Sequence, residues 1–163
     1  MGQNTDGILA YGYNLGGPDE GWEVQETGRY GELLPVDWYD EAGDGGDFVT
    51  AAELHLRTTV GGFTEQWTKG AGAGGYYERA EAAQARVGVK VVRHCSNVAP
   101  QFVLATHVTA AARGRVVPLD FDDLTRSRLA GDWDDQLARA LAALGLTALQ
   151  DAPAWLLLSY GEF

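Results

Sequence analysis

The sequence predicts an α+β fold: one domain over residues 1–163, with a mixed or antiparallel β-sheet and about three α-helices packed on it. Three observations carry that expectation. The tract from Val87 to Leu119 is rich in valine and threonine, whose branched Cβ suits a pleated surface better than a helical turn. Apolar residues recur at helical spacing in three other stretches. The run Ala154–Tyr160 is apolar on both alternations, the pattern of a strand inside a sheet and covered on both faces.

In chain order, Ile8 to Leu15 reads as an opening strand, closed by the turn signal Gly16-Gly17-Pro18-Asp19. Gly12 within it predicts a bulge or a close backbone approach. Glu20 to Glu32 is polar, with a short strand around Trp22–Val24, and Leu33 to Gly46 reads as loop because of Pro35, Gly43, Gly45 and Gly46. Asp47 then caps a first helix whose Val49, Ala52, Leu56 and Val60 share one face, and Gly61-Gly62 ends it. Phe63 and Trp67 can share a helical face, and Lys69 to Gly75 is a glycine-alanine loop. A second helix, Tyr76 to Arg86, carries the stripe Tyr76, Ala80, Ala83 and Val87. The central tract divides into strands Val87–Cys95 and Gln101–Ala111 and, after the turn Arg113-Gly114, a short third run Arg115–Leu119. Acidic Asp120–Asp123 and a polar link through Arg126 and Arg128 lead to the third helix. Asp132 is its expected cap, Asp134 and Asp135 complement its dipole, and Trp133, Leu137, Ala140, Leu141 and Leu144 form its stripe. Gly145-Leu146 is a glycine stop with its hydrophobic contact.

Composition narrows the function classes. A hydrophobic content of 45% argues against disorder, because that much apolar surface offsets the entropy of ordering the chain. Cys95 is the single cysteine, which rules out an intrachain disulfide and fits a reducing compartment. No segment approaches the roughly 20 apolar residues of a membrane span, and the N-terminus lacks the basic and apolar regions of a signal peptide. A cytoplasmic protein is the expectation.

Charge is the most informative feature. Residues 1–56 hold twelve of the 23 acidic side chains and one of the 12 basic ones, Arg29; residues 57–163 hold eleven of each sign. The whole formal charge of −11 therefore belongs to the first third. Such a field repels nucleic-acid phosphates and anionic membranes and attracts a basic partner. Direct nucleic-acid binding and membrane binding are accordingly not expected.

Motifs that would signal chemistry fail on inspection. Gly70 to Gly75 matches Gly-x-Gly-x-x-Gly, but no good strand precedes it and no acidic residue sits about 20 positions on, so it reads as a linker. Setting Gly45 sixth in a calcium loop puts Ala42 third and Ala51 twelfth, where oxygen ligands belong. His94, Cys95 and His107 suggest a cysteine–histidine pair or three zinc ligands, yet adjacent strand residues point to opposite faces. Neither a metal nor a cofactor is expected.

Tyr11-Gly12-Tyr13-Asn14-Leu15-Gly16-Gly17, Gly75-Tyr76-Tyr77 and Trp155-Leu156-Leu157-Leu158-Ser159-Tyr160-Gly161 together resemble a group of small proteins encoded by actinobacteria and their bacteriophages. Ten arginines against two lysines, and Ile8 as the one isoleucine, fit the GC-rich codons of such genomes. The resemblance spans most of the chain. It implies a setting, a bacterial host cell, and no activity or site residues.

The candidate binding site is the densest acidic run, Asp37, Asp40, Glu41, Asp44 and Asp47, with Trp38 and Tyr39 among it. Asp6, Asp19, Glu20, Glu23, Glu26 and Glu32 extend the same acidic third. Trp and Tyr are common interface anchors. The functional expectation is a non-enzymatic protein that binds a basic host protein, with nucleic-acid mimicry as one form of it. The alternative is a small hydrolase using Cys95 and His107 or paired carboxylates. Self-association stands beside both, because exposed apolar strands can pair with a copy of themselves.

Overall fold

The computed structural model describes residues 5–17, 23–24, 36–39, 47–69, 74–95 and 100–161. The elements are β1 (Thr5–Gly16), β2 (Glu23–Val24), α1 (Phe48–Thr59), α2 (Tyr76–Val87), β3 (Lys90–Cys95), β4 (Pro100–Ala111), α3 (Phe121–Ala130), α4 (Trp133–Leu144), β5 (Leu146–Thr147) and β6 (Ala154–Gly161). The fold is α+β, with four helices among the described residues where three were expected.

The large strands close into a four-stranded barrel in the order β1-β4-β3-β6. Every long pairing is antiparallel; closure comes from one parallel contact, Cys95 with Tyr160. Alternation along the strands separates two faces. Ala10, Val103 and Ala105 are buried on the inner face with Ile8, Val92, Val108, Leu156 and Leu158 around them, and the alanines leave room for so few strands to close. The outer face presents Tyr11, Tyr13, Leu15, Val91, Phe102 and Leu104 to Phe48, Ala52 and Leu56 of α1, Val87 of α2 and Leu137, Ala140 and Leu144 of α4. That layer is the main core.

Two register shifts interrupt the pairing of β1 with β4, one of them between Tyr11 and Gly12. A Cβ at Gly12 would lie 1.8 Å from the Leu104 carbonyl oxygen, so only glycine fits. Opposite this point Thr106 is the extra residue of a bulge, since Tyr11 pairs with His107 and Gly12 with Ala105. The bulge turns His107 onto the outer face, beside the helices.

Several expectations are corrected. The stretch read as a polar link contains α3, whose carboxylate cap Asp120 accepts from the Asp123 amide at 3.0 Å. α3 has no buried residue, so the core-facing stripe that marks most helices is missing from its sequence. Arg115–Leu119 is not a strand but an exposed irregular segment. Val87 closes α2 instead of opening β3, because Gly88 takes the left-handed conformation and ends the helix there. Asp132 precedes α4 in a left-handed conformation with no side-chain cap bond. β6 is not covered on both faces: Leu157 is 83% exposed.

Candidate functional site

Of the predicted binding residues, Asp37, Trp38, Tyr39 and Asp47 are described, and Asp40, Glu41 and Asp44 lie outside the described residues. Asp37 is exposed on a turn, between a half-buried Val36 and a half-buried Trp38. Trp38 is committed to the fold. Its indole Nε1 donates to the Leu144 carbonyl at 2.9 Å, satisfying one of the orphan acceptors at the α4 C-terminus. Its ring lies 5.4 Å from Phe48 and stacks on His55, also at 5.4 Å. His55 Nε2 in turn meets the Ala143 carbonyl at 3.0 Å. Tyr39 packs edge-on against Phe48, with ring centroids 5.4 Å apart.

Asp47 therefore stands next to a residue that both aromatics touch. Its carboxylate accepts from the Thr50 amide at 2.8 Å, capping α1. That bond is the main reason its pKa is held below the usual carboxylate range. The structure thus gathers Asp37, Trp38, Tyr39 and Asp47 around the N-terminal end of α1, with the two carboxylates outward and the Trp38 ring inward.

A cysteine–histidine dyad is ruled out. Cys95 pairs with Pro100 at one end of the β3–β4 hairpin, while His107 pairs with Tyr11 beyond its other end. His107 lies seven positions after Pro100 on β4, a spacing of roughly 20 Å along a strand. The zinc trio fails for the same reason, and among the described residues no group of three His, Cys, Asp or Glu is placed to hold a metal ion. His94 is half-buried, and burial lowers its pKa.

The register brings together a cluster that local sequence patterns did not announce. The Tyr11 hydroxyl donates to Asp134 Oδ1 at 2.7 Å. Arg128 grips the same carboxylate with two bonds, Nε to Oδ1 at 3.1 Å and a terminal nitrogen to Oδ2 at 2.6 Å. Its guanidinium lies 4.9 Å from the Tyr11 ring centroid. Around this pin, Trp133 stacks on His107 at 5.4 Å and Trp155 lies 5.0 Å from Tyr11. Burial, reinforced by the bond to Asp134, pushes the Tyr11 phenol up to about 12. The Arg128 bond holds the Asp134 carboxyl below its ordinary value. Trp133 and Asp134 were legible as helix residues. The barrel residue they meet, Tyr11, is more than 100 residues away from Asp134, so no spacing rule joins them. Because Tyr11 is buried and each group is satisfied, the cluster acts as a fastening of α3 and α4 to β1.

A hollow of about 470 Å³ opens between α1, α2 and the barrel, lined by Glu53, Glu81, Gln84, Gly88, Lys90 and Thr106 among others. Burial raises the Glu53 pKa. Comparison with protein-family models, with curated proteins and with solved structures finds no match to this chain. Its own residues carry the functional reading.

Proposed function

We propose that the chain is a non-enzymatic binding protein whose acidic N-terminal third recognises a basic surface on another protein. One observation carries the proposal: the confinement of the net charge to residues 1–56, with twelve acidic residues against one basic. The three ion pairs formed between described residues are Arg79–Glu65, Arg126–Asp123 and Arg128–Asp134. Asp37 and Asp47 are both exposed at the α1 end, so their field faces solvent. The resemblance noted above sets the partner in a bacterial host cell, and imitation of a nucleic-acid backbone is one way such a surface works.

The test is capture from bacterial lysate on the immobilised chain, with the Asp37→Asn, Asp40→Asn, Glu41→Gln, Asp44→Asn variant beside it. A basic protein should be retained at low salt and released as salt rises through the range where the Debye length falls from about 30 to 8 Å. The variant should retain markedly less. Capture that ignores salt, or that the variant matches, defeats the proposal.

A further inference from the structure

α3 is built inside out. Its inner side is fixed by charge, through Arg128 on Asp134, and none of its residues is buried. Leu124 is half-buried, but two other large apolar side chains face water: Phe121 is 60% exposed and Leu129 70%. With Thr125 between them, at successive four-residue steps, they form one stripe along the outer side. The segment leading into the helix continues the pattern, with Val116 93% and Leu119 40% exposed. Exposed apolar side chains gathered on one helix and the segment leading into it point to a contact site.

We propose that a second copy of this chain covers it, in a two-fold symmetric dimer with α3 antiparallel to α3. The charge pattern selects that occupant. Asp122 and Arg126 lie on one flank of the stripe, one turn apart and on either side of Thr125. An isologous antiparallel pair brings like flanks together in reversed order, so Asp122 meets Arg126 of the other copy twice over. Phe121 then packs beside Leu129 of the other copy, and the two small Thr125 side chains meet at the axis. The helix dipoles also oppose one another. The Arg126–Asp123 pair within the helix is highly exposed and yields at little cost. A helix of ten residues is only about 15 Å long. Since a stable interface needs about 800 Å² per partner, the apolar residues Val116 and Leu119 belong to it as well.

This surface belongs to residues outside the acidic third of the sequence, and the two contacts respond to salt in opposite directions. Self-association brings together two chains of charge −11, so salt strengthens it by screening their repulsion. Sedimentation equilibrium of the full chain, in moderate salt, tests the idea. The wild type should dimerise, and Leu129→Glu should be monomeric with an unchanged circular dichroism spectrum. Asp122→Arg and Arg126→Asp should each dimerise about tenfold more weakly, because like charges then face each other at both of the symmetric contacts. An equimolar mixture of those two variants should regain the wild-type affinity as a heterodimer. A wild type that stays monomeric at its highest soluble concentration overturns the proposal and leaves the stripe to another occupant. So does a dimer indifferent to Leu129→Glu, or a mixture no better than either variant alone.

Discussion

At the scale of single residues, the predicted binding site separates into parts with different jobs. Trp38 has the composition of an interface anchor, yet its indole is held by the Leu144 carbonyl and its ring by Phe48 and His55. Asp37 is exposed and is free to serve a partner. Asp47 serves the fold, since its carboxylate caps α1. Asp47→Ala should therefore cost about 1 kcal/mol in chemical denaturation, while Asp47→Asn keeps most of the cap. The sign with pH follows from the same bond. A carboxyl whose folded pKa is lowered stabilises the fold above its unfolded pKa, and that contribution fades as pH falls through the folded value. The difference between wild type and Asp47→Ala should accordingly shrink in acid; a difference that persists unchanged would show that the cap is not its source.

At the scale of elements, α3 and α4 are short helices held by opposite means. α4 buries Leu137, Ala140 and Leu144 in the main core and would survive the loss of any one polar contact. α3 depends on Arg128, because it buries nothing. Asp134→Asn weakens both bonds from Arg128 and also the acceptor of the Tyr11 hydroxyl. The partners are partly exposed, so the global cost should be modest, about 1 kcal/mol. The local cost should be larger. Amide hydrogen exchange in Phe121–Ala130 should accelerate well beyond that of the barrel strands, as local opening separates from global unfolding. Uniform acceleration across α3 and the barrel would instead place Asp134 in the cooperative core.

At the scale of the whole molecule, the barrel and its helical layer form a scaffold, and the excess charge is carried by residues 1–56 of the sequence. Eleven uncompensated negative charges repel one another and weaken the compact state. Replacing Asp37, Asp40, Glu41 and Asp44 by their amides should leave thermal stability unchanged or slightly raised, with the gain largest at low salt. The same replacement should weaken partner capture. A chain that unfolds on this neutralisation would make the carboxylates part of the architecture and remove the main support for binding. The two proposed contacts, acidic third and α3, also divide by salt: one is lost where the other is reinforced.

The sequence by itself determined the α+β class, the helices α1, α2 and α4, and the strands β1, β3 and β4 to within a few residues. It did so because each carries its own periodicity or its own stop, such as the stripe Leu137, Ala140 and Leu144 or the left-handed Gly145. Gly12 announced a close approach, and the Leu104 carbonyl supplies it. The charge of the acidic third was likewise legible, being a sum over residues and independent of their positions in space. Only the tertiary structure decided closure into a barrel, which rests on one pairing, Cys95 with Tyr160, 65 residues apart in sequence. It alone parted Cys95 from His107, because strand register is set by the whole sheet and by the bulge at Thr106. It alone assembled Tyr11, Arg128 and Asp134 from β1, α3 and α4. α3 escaped the sequence reading for a physical reason: Phe121 and Leu129 point to water, and the half-buried side offers only Leu124 and Ser127 beside the Arg128 guanidinium.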